Sequence, residues 1–114
     1  MVMLISLKKS SHFKLALKEK RFHSDFFSIF AAKNFIKKNK NHLIISFVMK
    51  KKIGNAVKRN KIRRKLKAIV IKLIKIKGAI NKDYTYIVFG KSKAYEEKYD
   101  ILHKAMIKCF KKIK

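Results

Sequence analysis

The sequence has no proline, three glycines, one cysteine and six carboxylates in 114 residues. Each shortage excludes something. With glycine only at Gly54, Gly78 and Gly90, no Pro/Gly/Ser-rich linker divides the chain. One domain over residues 1–114 is expected, with 1–9 as a candidate flexible segment. A lone Cys109 cannot form an intramolecular disulfide. The histidines (His12, His23, His42, His103) are scattered without metal-ligand spacing. Cys109 falls on an apolar helical spacing and reads as a core thiol, which fits a reducing cytoplasm. The longest uncharged apolar run, Leu43 to Met49, is too short to cross a bilayer. In MVMLISLKK the lysines follow the apolar run, the wrong order for a signal peptide. No membrane partner is expected.

The shortage of acids weakens most enzyme readings. Glu19, Asp25, Asp83, Glu96, Glu97 and Asp100 form no pair joined to a histidine at a recognisable spacing. Glu96 and Asp100, four apart, read as complement to a helix dipole rather than as a metal site. Neither GxxxxGK[ST] nor GxGxxG occurs. Against six acids stand 32 lysines and arginines, for a formal net charge of +26. Self-repulsion at that charge destabilises a compact monomer, and nucleic acid is the usual polyanion that relieves it. Hydrophobic residues still make up 48%, enough for a modest core.

Arginine is concentrated. Three of the four arginines, Arg59, Arg63 and Arg64, lie within KKIGNAVKRNKIRRK, and the fourth is Arg21. A guanidinium fork grips two phosphate oxygens at fixed geometry, whereas an ammonium is a mobile point charge.

The patterning predicts a short helix over 10–20 with Ser10 or Ser11 as N-cap, and Phe13 and Leu17 on one face. Strands are expected over Phe26–Ala32 and His42–Met49, with a basic turn between them that uses Asn39 and Asn41. In the first strand Phe26, Ser28 and Phe30 share one face and Phe27 and Ile29 the other. If one face is partly open, its rings form a platform for unpaired bases. A long helix is expected from Ala56 to Lys77, with Ile62, Leu66, Ile69, Leu73 and Ile76 as its core stripe. Arg59, Asn60, Arg63, Arg64 and Lys67 then cover its sides and back, and Gly78 and Asn81 cap its end. A strand over Tyr84–Phe89 follows. Ser92 caps a last helix whose stripe is Tyr95, Tyr99, Leu102, Met106, Cys109 and Ile113. Three helices and about four strands make an α+β fold, a two-layer α/β sandwich.

KKIGNAVKRNKIRR closely resembles the signature of the protein subunit of bacterial ribonuclease P, a GNAV-x-RNR-I-[KR]R pattern. Gly54, Asn55, Ala56, Val57, Arg59, Asn60, Ile62, Arg63 and Arg64 match, while Lys61 stands where the family favours arginine. SLKKSSHFKLAL is similar to the family's LKK-x-x-[DE]F segment, with His12 in place of the acid and Leu17 where a second phenylalanine is frequent. YTYIVFGK and the following YEE also fit in kind and order.

The resemblance implies a left-handed βαβ crossover and a role in removing the 5′ leader of precursor tRNA. It implies that the chemistry belongs to a catalytic RNA with Mg²⁺ and that no protein side chain is catalytic. The implied partners are ribonuclease P RNA and precursor tRNA, in a cytoplasmic complex of one protein and one RNA. Carried over, Lys52, Asn55, Lys58, Arg59, Asn60, Lys61, Arg63, Arg64 and Lys67 contact the catalytic RNA, and Phe13, Leu17, Phe30 and Lys51 line the leader groove. A basic structural protein of ribosomal RNA shares the charge and size and is the competing reading. A cationic protein on anionic membrane is a third, kept open by the amphipathic last helix.

Overall fold

The computed structural model describes residues 3–36 and 40–113. The elements in chain order are β1 (Met3–Ile5), α1 (Ser10–Ala16), β2 (Lys20–His23), β3 (Phe27–Lys33), β4 (His42–Val48), α2 (Ala56–Ile74), β5 (Tyr84–Gly90) and α3 (Tyr99–Lys112). Short 3-10 turns occupy Lys51–Ile53 and Ser92–Ala94. The five strands form one mixed sheet in the order β1-β4-β5-β3-β2. β4 runs parallel to β1 and β5, while β3 runs antiparallel to β5 and β2. Parallel neighbours need a crossover, and α2 supplies it between β4 and β5.

Strand alternation sends side chains to two faces. Phe27, Ile29 and Ala31 of β3, Leu43 and Ile45 of β4, and Tyr84, Tyr86 and Val88 of β5 pack with α2 and α3 in the main core. Ile44 and Ile87 face the other way and are covered by Ala16 and Phe13 of α1 and by Leu7. Helices therefore lie on both faces of the sheet, two on one side and the short α1 on the other.

The α+β architecture is as expected, with five strands instead of about four. The two unanticipated strands are edges. β2 is the charged segment KRFH, of which Phe22 packs toward the core; charge on an edge strand discourages pairing with other chains. β1 lies within the segment expected to be flexible. It pairs with β4, and the Leu7 N–H beyond it donates to Ser46 Oγ at 2.8 Å.

Boundaries also moved. α1 stops at Ala16, and its N-cap is Lys9, not Ser10 or Ser11. α2 ends at Ile74, so Ile76 leaves the core stripe and is 53% exposed. The capping role expected of Gly78 and Asn81 falls to Lys75. Gly78 instead supplies a φ of +79° in the turn beyond, and Asn81 Oδ1 accepts from the Asp83 N–H at 2.9 Å at the entry to β5. Phe26 precedes β3 and packs against the main core, away from the Phe30 face. Ser92 does not cap α3, which starts seven residues later behind Lys98. Glu96 lies outside that helix, and Asp100 alone supplies an acid to its first turn. Tyr99 is exposed and stacks on His103 at 5.9 Å, so Phe110 replaces it in the core. Cys109 is buried as expected, and burial pushes its thiol pKa up. Asn39 lies outside the described residues.

Tyr86 is fully buried in the main core, its ring edge-on to Phe110 and its hydroxyl donating to the Asn81 carbonyl at 2.6 Å. Burial raises its phenol pKa far above the usual 10.0. A raised folded-state pKa means that the stability it contributes is complete below the unfolded value and is lost as pH rises through the folded one. Tyr86→Phe should cost about 1 kcal/mol at neutral pH through the lost hydrogen bond. Its stability gap to wild type should then narrow from pH 10 upward, since phenylalanine has no proton to lose. Urea denaturation at several pH values reads this directly; a gap that stays constant through about pH 11 would contradict it.

Candidate nucleic-acid interface

The start of α2 is built by the first half of the GNAV segment. Gly54 has φ +152° and ψ −162°, a backbone region open essentially to glycine alone. A Cβ there would also meet Lys58 Cδ at 2.9 Å. Asn55 is the N-cap: its Oδ1 accepts from the Lys58 N–H at 2.9 Å. Val57 points outward and is 74% exposed.

The second half supplies a surface. Ile62, Leu66, Ile69, Val70 and Leu73 turn inward. Asn60, Lys61, Arg64 and Lys67 are exposed, and Arg59 and Arg63 are partly so. Arg63 Nη1 donates to Asn60 Oδ1 at 2.6 Å, and Arg59 Nε to the Asn55 carbonyl at 3.4 Å. These bonds restrain the guanidiniums before any ligand arrives, which lowers the ordering cost of gripping an anion.

The second feature is a groove of about 620 Å³ on the α1 side of the sheet. α1 is only seven residues long, so it covers one end of that face and leaves the other open. The register explains what is left there. Arg21 pairs with Phe30, His23 with Ser28, and Ser28 with Phe89, so these side chains share the open face. Phe30 and Phe89 meet edge to face at 5.3 Å on the floor. Arg21, Lys50, Lys52 and Lys91 add four cations, with Lys50 Nζ over the Phe89 ring at 5.6 Å. Leu17, Ile53, Gly90 and Ser92 complete the lining, and His23 Nδ1 is 2.6 Å from Ser28 Oγ.

The two features meet at the turn after β5. Lys58 Nζ donates to Ser92 Oγ at 3.0 Å, joining the first turn of α2 to the groove wall. Lys65 Nζ donates to the carbonyls of Ala94, Tyr95 and Glu97 at 3.1, 2.6 and 3.0 Å. Desolvation holds the Lys65 pKa below its ordinary value, reinforced by the neighbouring Lys61 charge, while Glu97 and Glu96 pull it up. With α3 starting only at Tyr99, these carbonyls are outside the helix, and Lys65 satisfies them.

Of the residues expected to line a groove, Leu17 and Phe30 do so. Phe13 instead packs under α1 in the second apolar cluster, and Lys51 is exposed beyond the lining; its neighbour Lys52 takes the place in the wall. Arg21, His23, Lys50, Phe89 and Lys91 were not anticipated there. The isolated arginine and the alternation of KRFH were the available signals for Arg21 and His23. Among the described residues, no group of three or more His, Cys, Asp or Glu side chains converges to hold a metal ion. Nor is any helix among them long and apolar enough to cross a membrane.

The fold and these surfaces define a class: a small basic α+β domain with an aromatic-floored cationic groove beside an arginine-bearing helix. Comparison with known proteins is specific. The family model for ribonuclease P matches residues 3–114, and the chain belongs to the ribonuclease P protein family. It is 32% identical over 108 residues to the ribonuclease P protein component of Mycoplasma mycoides, covering 95% of this chain and 94% of that protein. It is 42% identical over 64 residues to that of Mycoplasma capricolum, 56% of this chain and 57% of the relative. The ribonuclease P proteins of Staphylococcus aureus and Thermotoga maritima share the fold, each with a TM-score of 0.74 at 24% identity over 96% of this chain. Those matches cover 94% and 97% of the two chains. Membership sets aside the ribosomal reading.

Gly90 is where the groove touches α2. A Cβ there would run into Met49 Sδ and approach Ile62 Cγ2 to 2.9 Å. Met49 can swing aside, but the β-branched Ile62 is stiff. Gly90→Ala should destabilise the protein by about 1–3 kcal/mol, as overpacking does. Urea unfolding measures it, and an unchanged midpoint would show that the wall has slack.

Proposed function

We propose that this chain is the protein subunit of a ribonuclease P, binding the catalytic RNA through α2 and the 5′ leader of precursor tRNA in the groove. The observation that carries the reading is the open end of the sheet face, where Phe30 and Phe89 are ringed by Arg21, Lys50, Lys52 and Lys91. A single strand asks for this combination. Its bases stack on rings at ~1–3 kcal/mol each, and its phosphates follow the cations without sequence preference.

The outer face of α2 suits a folded RNA. Arg59, Arg63 and Arg64 offer forks, and Lys58, Lys61 and Lys67 offer point charges. Asn55 serves the helix first, as its cap. With the two surfaces adjoining at Ser92, the protein screens repulsion between a catalytic RNA and a substrate RNA held side by side. In this reading the protein holds and orients, hydrolysis and Mg²⁺ belong to the RNA, and the complex contains one protein and one RNA in the cytoplasm. Removing the leader forms the mature 5′ end of tRNA.

The groove is tested by equilibrium binding with the reconstituted complex. Arg21→Ala and Phe30→Ala should each weaken binding of leader-bearing precursor about tenfold and leave mature tRNA unchanged, the scale of one stacked base or one phosphate contact. Equal losses for both tRNAs would remove the leader from the groove. The helix face is tested by salt. Replacing Arg63 and Arg64 together by alanine should weaken binding of the protein to ribonuclease P RNA and flatten the log–log salt dependence by about 2. An unaltered slope would show that those guanidiniums face elsewhere.

A further inference from the structure

Lys65 differs in kind from the other lysines of α2. Its Nζ sits among three backbone carbonyls, at 3.1, 2.6 and 3.0 Å, which accounts for all three ammonium hydrogens. A lysine committed in this way is not available to a phosphate. What it grips is the stretch that follows the groove wall, from Ala94 to Glu97.

The wall itself is held from two sides. On the hairpin side, the Lys91 N–H donates to the Phe26 carbonyl at 2.9 Å and Lys91 Nζ to the Ser24 carbonyl at 2.7 Å. On the helix side, Lys58 and Lys61 lie over the Tyr95 ring at 5.2 and 4.6 Å, and Lys58 also reaches Ser92. Lys58, Lys61 and Lys65 are three and four residues apart and share one side of α2. Lys61 is exposed and Lys58 partly so, and both lie beside the arginines. A polyanion docked on α2 competes for these two ammoniums, since a phosphate is a stronger partner than a ring or a hydroxyl. The three carbonyl bonds of Lys65 are the helix-side tie that such docking leaves in place.

We infer that Lys65 is a positioning residue for the groove: by fixing the 94–97 turn to α2 it keeps Gly90, Lys91 and Ser92 in place while RNA occupies the helix face. This rests on the reading of the groove as the leader site. Lys65 touches neither RNA; it acts through Lys91 and Ser92.

The test uses the full chain reconstituted with ribonuclease P RNA. Lys65→Met keeps the length of the stem and removes the donors, while Lys65→Arg restores charge and donors. Three quantities are read: affinity for ribonuclease P RNA, the preference for precursor over mature tRNA, and hydrogen exchange of amides 92–98. Lys65→Met should speed exchange in 92–98, lower the preference about tenfold and leave RNA affinity within about twofold, the scale of one charge-assisted hydrogen bond. Lys65→Arg should recover most of the preference, a rescue that a lost apolar contact would not show. Faster exchange with an unchanged preference would overturn the inference, and so would an equal fall in RNA affinity, which would make Lys65 an RNA contact. If Lys65→Met does not fold, Lys65→Leu, which also has no donor, carries the same expectations. Arg21→Ala separates the two levels. If it also leaves the preference intact, the leader reading fails. If it lowers the preference and Lys65→Met does not, the positioning role alone fails.

Discussion

The pairing of β5 with β3 on one side and β4 on the other is the interaction on which both cationic surfaces depend. β5 is the middle strand, and six of its seven residues are buried. Its antiparallel register with β3 sets Phe89 beside Ser28 and Phe30 on the groove floor. Its parallel register with β4 requires a crossover, and that crossover is the arginine-bearing helix. The strand ends at Gly90, where the absence of a side chain lets Met49 and Ile62 close in. The groove and the α2 face are neighbours because one strand terminates between them.

A second constraint is charge. With 32 basic residues and six acids, most lysines cannot find a carboxylate. The fold uses other partners. Lys65 and Lys91 donate to backbone carbonyls, and Lys50, Lys58, Lys61 and Lys72 lie over aromatic rings. These contacts neutralise no charge, so the field of the chain remains available to a polyanion. The few acids have local work: Glu19 accepts from the Lys33 N–H, and Glu97 from the Lys98 N–H.

What the sequence disclosed follows from how local each cause is. The stripe Ile62, Leu66, Ile69 and Leu73 was legible because helical period and burial coincide, and the same wheel placed the arginines outside. Phe27 and Ile29 against Phe30 was legible from strand alternation. Three features were not. The edge strands β1 and β2 owe their pairing to partners distant in sequence. The break at 95–98 exposes carbonyls whose partner, Lys65, lies thirty residues away in sequence. The groove lining draws on the end of α1, β2, β3, the turn after β4 and the end of β5, and only the register between strands says that Arg21 and Phe89 face the same space. Half of the arginine-rich motif proved to be folding instruction: Gly54 for the bend, Asn55 for the cap, Ile62 for the core.

The role proposed for this chain is that of a cationic partner that lets a catalytic RNA and its substrate lie together. Its most direct test is precursor cleavage by ribonuclease P RNA with and without the full chain, at a Mg²⁺ concentration too low for the RNA to work well alone. The account predicts that one equivalent of protein restores cleavage and that added monovalent salt removes the gain. Cleavage that stays as slow with the protein as without it would contradict the account.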